Sequence, residues 1–146
     1  QNADLRYADL RYADLQNANG VIAESVSFLH FLKYQPGKIR MFKLVDKDGN
    51  SPIHPHNKIN YKIGEIYEVV NASIDIKEGC GKGLHLASLD WCLKNWSIGR
   101  RVLVVEFTKD DIACIPLKTD GKFRVHRFTV VDEIDLKEIG FLKDEN

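Results

Sequence analysis

The sequence has no long apolar run, no excess of either charge and few cysteines, and each absence excludes a class of protein. No stretch approaches the roughly 18 apolar residues of a membrane-spanning helix. The 21 basic and 21 acidic side chains cancel, so no overall field favours nucleic acid or an anionic membrane. Three cysteines, an odd number at wide spacings, are typical of reduced thiols. The sequence predicts a cytoplasmic protein with neither a membrane segment nor a nucleic-acid partner.

A five-residue period occupies the N-terminus. Residues 3–7 and 8–12 both read Ala-Asp-Leu-Arg-Tyr, and residues 13–17 read Ala-Asp-Leu-Gln-Asn. A period of five matches neither a helix nor a strand, so each unit is expected to form one side of a coil. Because the chain starts inside this repeat, we expect the sequence to be part of a longer protein.

These units resemble the pentapeptide-repeat family, whose pattern is Ala, then Asp or Asn, then Leu, then two free positions. The resemblance implies a right-handed quadrilateral β-helix, of which residues 1–22 would form the last coil. Free positions such as Arg6 and Arg11 do not suit the acidic, DNA-mimicking rod of some members. An apolar stripe predicts a helix at about 23–33, so we interpret residues 23–38 as a capping helix and linker.

Residues 39–146 are predicted to form a small α+β domain with a mainly antiparallel sheet, because no alternating βαβ pattern is present. Ser88 is placed to cap a short helix whose apolar face includes Leu89, Cys92 and Trp96. Asp48-Gly49 and Asp120-Gly121 are typical of turns. Extended segments are expected at 40–45, 61–70, 73–76, 102–107, 112–117 and 123–131.

The segment from about Phe42 to Ile134 is similar to an uncharacterised domain that accompanies pentapeptide repeats in phage and bacterial sequences. The shared pattern is Tyr61-x-x-Gly64, then Cys80, then Gly-Leu-His at 83–85. The resemblance implies a phage or bacterial origin and domain boundaries, and it carries no established activity.

Cys80 and His85 are the candidate pair for nucleophilic chemistry, because a thiolate needs a nearby base or positive charge and Lys82 lies between them. The Gly-Leu-His start of a strand also resembles ADP-ribosyltransferase-like folds. That resemblance implies a dinucleotide contact for His85 and an acid role for Glu106 at an oxocarbenium-like centre. The alternative is that Cys80 and His85 only pack and hydrogen-bond around a tight turn.

Candidate binding residues lie in two places. Gly81 and Gly83 could cradle a phosphate with Lys82, although the Gly-Lys-Ser/Thr ending of a P-loop is missing. Arg124 and Arg127 lie in a basic stretch that could meet phosphate or nucleic acid, and the favoured interpretation is a solvated sheet face. Cysteine and histidine spacings do not match a zinc site, so we expect no metal and no cofactor.

The leading hypothesis is a non-enzymatic binding or scaffold module that meets a protein partner. The alternative is a small transferase, similar to ADP-ribosyltransferases, centred on Cys80, His85 and Glu106. The sequence leaves the oligomeric state open.

Overall fold

The computed structural model describes residues 23–52 and 59–144. The predicted repeat coil at 1–22 lies outside the described residues, so the β-helix and the capping role of the following helix stay predictions. Within the described ranges, the chain is a mixed α+β protein with a seven-stranded antiparallel sheet. No described helix combines the length and the apolar character needed to cross a membrane.

Among the described residues, two α-helices accompany the sheet: α1 (Ala23–Phe31), which continues as a 3₁₀ turn at Leu32–Tyr34, and α2 (Leu89–Lys94). The order of strands across the sheet is β2-β7-β4-β1-β3-β6-β5. In chain order the strands are β1 (Lys38–Val45), β2 (Ile66–Glu68), β3 (Leu84–Ala87), β4 (Arg101–Thr108), β5 (Ile112–Cys114), β6 (Lys122–Val125) and β7 (Arg127–Glu133).

β1 and β4 form the long central pair of the sheet. Their register runs without interruption from Lys38 opposite Thr108 to Val45 opposite Arg101. The consecutive residues 102–105 of β4 are all buried, as the near-continuous apolar run at 102–107 predicts for a strand covered on both faces. By contrast, β1 and β3 share a single register pair, so the two strands separate beyond it.

The sheet curls until its two flanks meet at His126. This one residue joins β6 to β7, although three other strands lie between β6 and β7 in the sheet. The His126 N–H donates to the carbonyl of Asp111 beside β5, and its carbonyl accepts from Val69 beside β2. The predicted single strand at 123–131 is therefore two strands with a bend, and each pairs with a different edge.

Apolar side chains cover both faces of the sheet. The larger core contains Phe123, Phe128 and Leu103, each at most 1% exposed. A second cluster lies under α2 and includes Trp91 and Cys92, as the apolar face of the predicted helix requires. Burying one such large side chain contributes about 1.5–3 kcal/mol, so both clusters stabilise the fold. Ser88 occupies the N-cap position of α2, but its side chain makes no capping hydrogen bond.

Three predicted extended segments are shorter in the structure or are not strands. Only Ile66–Glu68 of the segment 61–70 is a strand, and the segment at 112–117 contains only Ile112–Cys114. The segment at 73–76 is a loop, because a buried arginine takes up two of its carbonyls, as described below. The turn at Asp48-Gly49 is present, with Gly49 at φ +89°, but it leads only to an isolated bridge between Asn50 and Asn60.

Candidate functional site

Arg124 of β6 holds the loop that precedes β3. The side chain is 0% exposed, and its guanidinium donates to backbone carbonyls of Ser73 (3.0 Å), Asp75 (2.9 Å) and Glu78. Hydrogen bonds from a charged donor are the stronger kind, so these contacts fix the loop against the sheet. The interpretation of Arg124 as part of a solvated basic face is wrong, because its side chain lies under this loop.

Arg127 does not share a surface with Arg124. It is exposed at the start of β7, where it lies opposite Glu68 of the edge strand β2. The bend at His126 separates it from β6. Since one of the two arginines is buried and the other is exposed beyond the bend, they do not form the basic patch that their spacing suggests.

Gly81 and Gly83 allow the loop to pack closely. A Cβ at Gly81 would lie 2.9 Å from Cβ of Ser73, and one at Gly83, which has φ +149°, would lie 3.3 Å from Cδ of Arg124. Lys82 is exposed, and its carbonyl accepts from the N–H of Ser73 at 2.7 Å. These glycines are therefore accounted for by contacts within the protein.

His85 is half-buried on β3, directly opposite Arg124 of β6. Its Nε2 lies 2.8 Å from the carbonyl oxygen of Gly81. Because a carbonyl can only accept, the Nε2 atom in this arrangement carries the proton and donates it. This nitrogen helps to hold the glycine loop and is not placed as a base toward another group.

Cys80 is exposed and lies beside Lys122 of β6. The Lys122 ammonium donates to the Cys80 Sγ at 3.2 Å and lies 5.9 Å from the ring centroid of Trp91. Both residues line a cleft of about 580 Å³, walled by residues 76–80 on one side and 116–122 on the other. We call it the Cys80 cleft. The remaining cysteines, Cys92 and Cys114, are buried.

Glu106 lies away from His85. Its carboxylate accepts from Arg40 Nε at 3.2 Å, and Arg40 is its register partner on β1. β1 and β3 meet at Phe42 and Ala87. Arg40 lies two residues to one side of that pair. His85 lies two residues to the other side, because the strands are antiparallel. Arg40 and His85 are therefore separated by four residue positions, about 13 Å along the strand direction. The structure thus does not bring the three residues of the transferase hypothesis together.

Lys43 is a functional candidate that the sequence analysis missed. It is 5% exposed, and its Nζ donates to the His85 carbonyl at 2.7 Å and lies 4.7 Å from the Tyr61 ring centroid. Burial, and to a lesser extent the charge of Lys122, lowers the pKa of Lys43 to about 8. The sequence contains one indication that Lys43 is buried, because Lys43 alternates in phase with the core residues of β1.

A second, much smaller cavity of about 30 Å³ lies between β1 and β3. Its lining includes Lys43, His85, Trp91, Ser51 and Lys122. Lys122 also lines the Cys80 cleft, so one lysine borders both spaces. We call this cavity the Lys43 pocket. No group of three metal-ligating side chains occurs in residues 23–52 and 59–144.

Comparison of the chain with protein-family models, with curated proteins and with solved structures finds no match. Any functional conclusion therefore has to be argued from the cleft, the pocket and their lining residues.

Proposed function

We propose that this chain is a non-enzymatic binding module of a pentapeptide-repeat protein of phage or bacterial origin. Its α+β domain holds a ligand in the Cys80 cleft, and the N-terminal repeat serves as a scaffold. The observation that carries the proposal is the cleft itself, about 580 Å³ in volume and lined by apolar residues together with Cys80, Thr119, Asp120 and three lysines. Concave sites of this size with a few placed polar groups are typical of ligand binding.

Both walls of the Cys80 cleft are held by hydrogen bonds within the protein, and this supports the proposal. Residues 76–80 belong to the loop that Arg124 holds through three backbone carbonyls. The other wall is held by Thr119, whose hydroxyl accepts from the N–H of Gly121 and donates to the Lys122 carbonyl. A cleft whose walls are fixed before the ligand arrives loses less conformational entropy on binding.

Binding is favoured over catalysis because each of the three candidate catalytic residues has a contact with a residue outside that set. The Nε2 of His85 donates to Gly81, and the Cys80 thiol contacts an ammonium. Glu106 forms an ion pair with Arg40. A general base has to lie about 2.6–3.2 Å, between heavy atoms, from the group whose proton it removes, and the ion pair of Glu106 with Arg40 lies away from His85.

The test is a fragment screen followed by amide chemical shifts in NMR spectra of the full chain. We expect bound fragments to shift residues 76–80 and 116–122, with saturable curves. A Cys80→Trp substitution fills the cleft and should remove this binding. Ile98→Trp is the matched control, because Ile98 is 94% exposed and does not line the cleft, and it should leave the affinities unchanged.

Two results would overturn the proposal. One is a screen whose hits all shift residues outside the cleft, and the other is a set of cleft hits whose affinity Cys80→Trp leaves unchanged. Turnover of a nicotinamide dinucleotide by the wild-type chain, lost in His85→Ala and Glu106→Gln, would favour the transferase instead.

A further inference from the structure

The Lys43 pocket has two amines and no carboxylate among its described lining residues. Lys43 and Lys122 both line it, and Lys122 is close enough to lower the pKa of Lys43. The four ion pairs within residues 23–52 and 59–144 involve other side chains. Within the described part of the chain, neither lysine therefore has a carboxylate within 4.0 Å.

A buried ammonium in this setting is costly unless something compensates its charge. The side chain of Lys43 is only 5% exposed, and its partners are one carbonyl and the face of Tyr61. An ammonium has three protons to donate, and among the described residues Lys43 has one hydrogen-bond acceptor, the His85 carbonyl. The repulsion from Lys122 adds to the desolvation cost.

We propose that the Lys43 pocket binds the anionic group, a carboxylate or a phosphate, of the ligand that occupies the Cys80 cleft. This inference rests on the proposed function. An anion between the two amines would accept a hydrogen bond from each and neutralise their repulsion, as charge-assisted pairs do. Because Lys122 lines both spaces, the anionic end of a ligand can lie in the pocket while its body extends into the cleft.

The two volumes divide the ligand into a head and a body. The pocket of about 30 Å³ has room for about two water molecules, which suits a single charged group and not a whole ligand. The cleft of about 580 Å³ suits the remainder.

The experiment titrates acetate and, separately, inorganic phosphate into the full chain at pH 7 and constant ionic strength, with amide shifts as the readout. We expect saturable shifts centred on residues 85–87 and 122. Lys43→Met and Lys122→Met should each weaken binding at least tenfold. The matched control is Lys118→Met, which removes a cleft lysine that does not line the pocket and should change the affinity less than twofold.

Three outcomes would overturn the inference. The first is the absence of saturation by either anion. The second is an equal loss of affinity in all three variants, which would mean general attraction to positive charge. The third is saturable anion binding whose shifts centre on residues 76–80 of the cleft and not on residues 85–87, which would leave the binding module standing and remove only its anionic head group. If Lys43→Met does not fold, Lys122→Met decides alone.

A second experiment decides whether the bound anion belongs to a protein partner or to a free small molecule. An acidic peptide and its amidated counterpart are compared with the free anions under the same conditions. Binding of the acidic peptide at least tenfold tighter than acetate, lost on amidation, assigns the anion to a protein partner. Equal affinities for peptide and acetate assign it to a free small molecule, and both results agree with an anion pocket.

Discussion

The two flanks of the sheet place positive charge in different surroundings. Between β4 and β7, Arg101 meets the carboxylate of Glu133, and each side chain remains 35% exposed. On the other flank, Arg124 of β6 is fully buried and bonds only backbone carbonyls in the contacts described above. Lys43 of β1, at the border of that flank, likewise bonds a carbonyl.

The comparison shows what each kind of contact contributes. A half-exposed ion pair is weakened by water and salt and adds little to stability. A buried cation that bonds carbonyls is expensive to desolvate, but it also orders the loop that supplies those carbonyls. The flank with buried cations is also the flank that contains the cleft and the pocket, so its polar contacts shape the candidate site.

The largest expected effect is on Arg124. Arg124→Met should lower the free energy of unfolding by about 4 kcal/mol, because it removes three charge-assisted bonds and leaves carbonyls without a donor. Urea unfolding measures this. Arg127→Met is the matched control on the exposed side of the bend and should stay within about 0.5 kcal/mol of wild type. A loss below about 1 kcal/mol in Arg124→Met would contradict the structural role of the buried guanidinium.

The next effect concerns the turn before β6. Gly121→Ala should cost about 3 kcal/mol, because Gly121 has φ +136° and an added Cβ would lie 2.5 Å from Ser88 Oγ and 2.9 Å from Trp91 Cβ. Gly37→Ala is the control. Gly37 also has positive φ, +70°, but has no atom within 4 Å of the added Cβ, so it should cost only about 1 kcal/mol. Thermal unfolding of both variants checks the difference, and equal costs would argue against the close approach at Gly121.

A smaller effect is the pH dependence that Lys43 contributes. Burial lowers its pKa from 10.5 to about 8, so between these values the unfolded chain binds more protons than the folded one. Stability from this group therefore rises with pH, by about 1 kcal/mol between pH 7 and pH 9. Denaturant unfolding at several pH values should show this rise in wild type and not in Lys43→Met.

The pH window is limited by another buried group. Burial raises the pKa of the Cys92 thiol from 9.0 to about 12, so above pH 9 the folded chain holds a proton that the unfolded chain releases. That contribution lowers stability as the pH rises. The Lys43 effect is therefore measured below pH 9, and an identical slope in wild type and Lys43→Met would show that Lys43 does not carry it.

The smallest effect is on the exposed flank. Glu133→Gln should lower the free energy of unfolding by only about 0.5 kcal/mol, since each partner is partly exposed. Half-molar salt should shrink the difference further. A loss as large as that of Arg124→Met would remove the distinction between the two flanks.

Local patterns were enough to predict much of the fold. The near-continuous apolar run of β4 predicted a strand buried on both faces, and the apolar spacing after Ser88 predicted α2. The split between β6 and β7 was not predicted, because residues 123–131 were interpreted as one strand. The buried apolar residues in fact change phase across the bend, from Phe123 and Val125 to Phe128 and Val130. Only pairing with two distant edges, at Asp111 and Val69, bends the chain at His126.

The candidate site was predicted only in part. Cys80 and Lys122 lie 42 residues apart, and no local pattern indicates that they meet. Arg124 has the alternation of an ordinary strand residue, so it was interpreted as solvated. Lys43 was in phase with Ile39, Met41 and Val45 of β1, which could have indicated a buried lysine.

What the sequence by itself determined was the α+β class, the central apolar strand and the positions of the main turns, because these depend on the residue type and its near neighbours. The tertiary structure decided which charges are buried and which groups meet. Burial and long-range contact depend on the order of strands and on the loop laid over them. For that reason the burial of Arg124 and Lys43 and the contact of Cys80 with Lys122 are seen only in the folded chain.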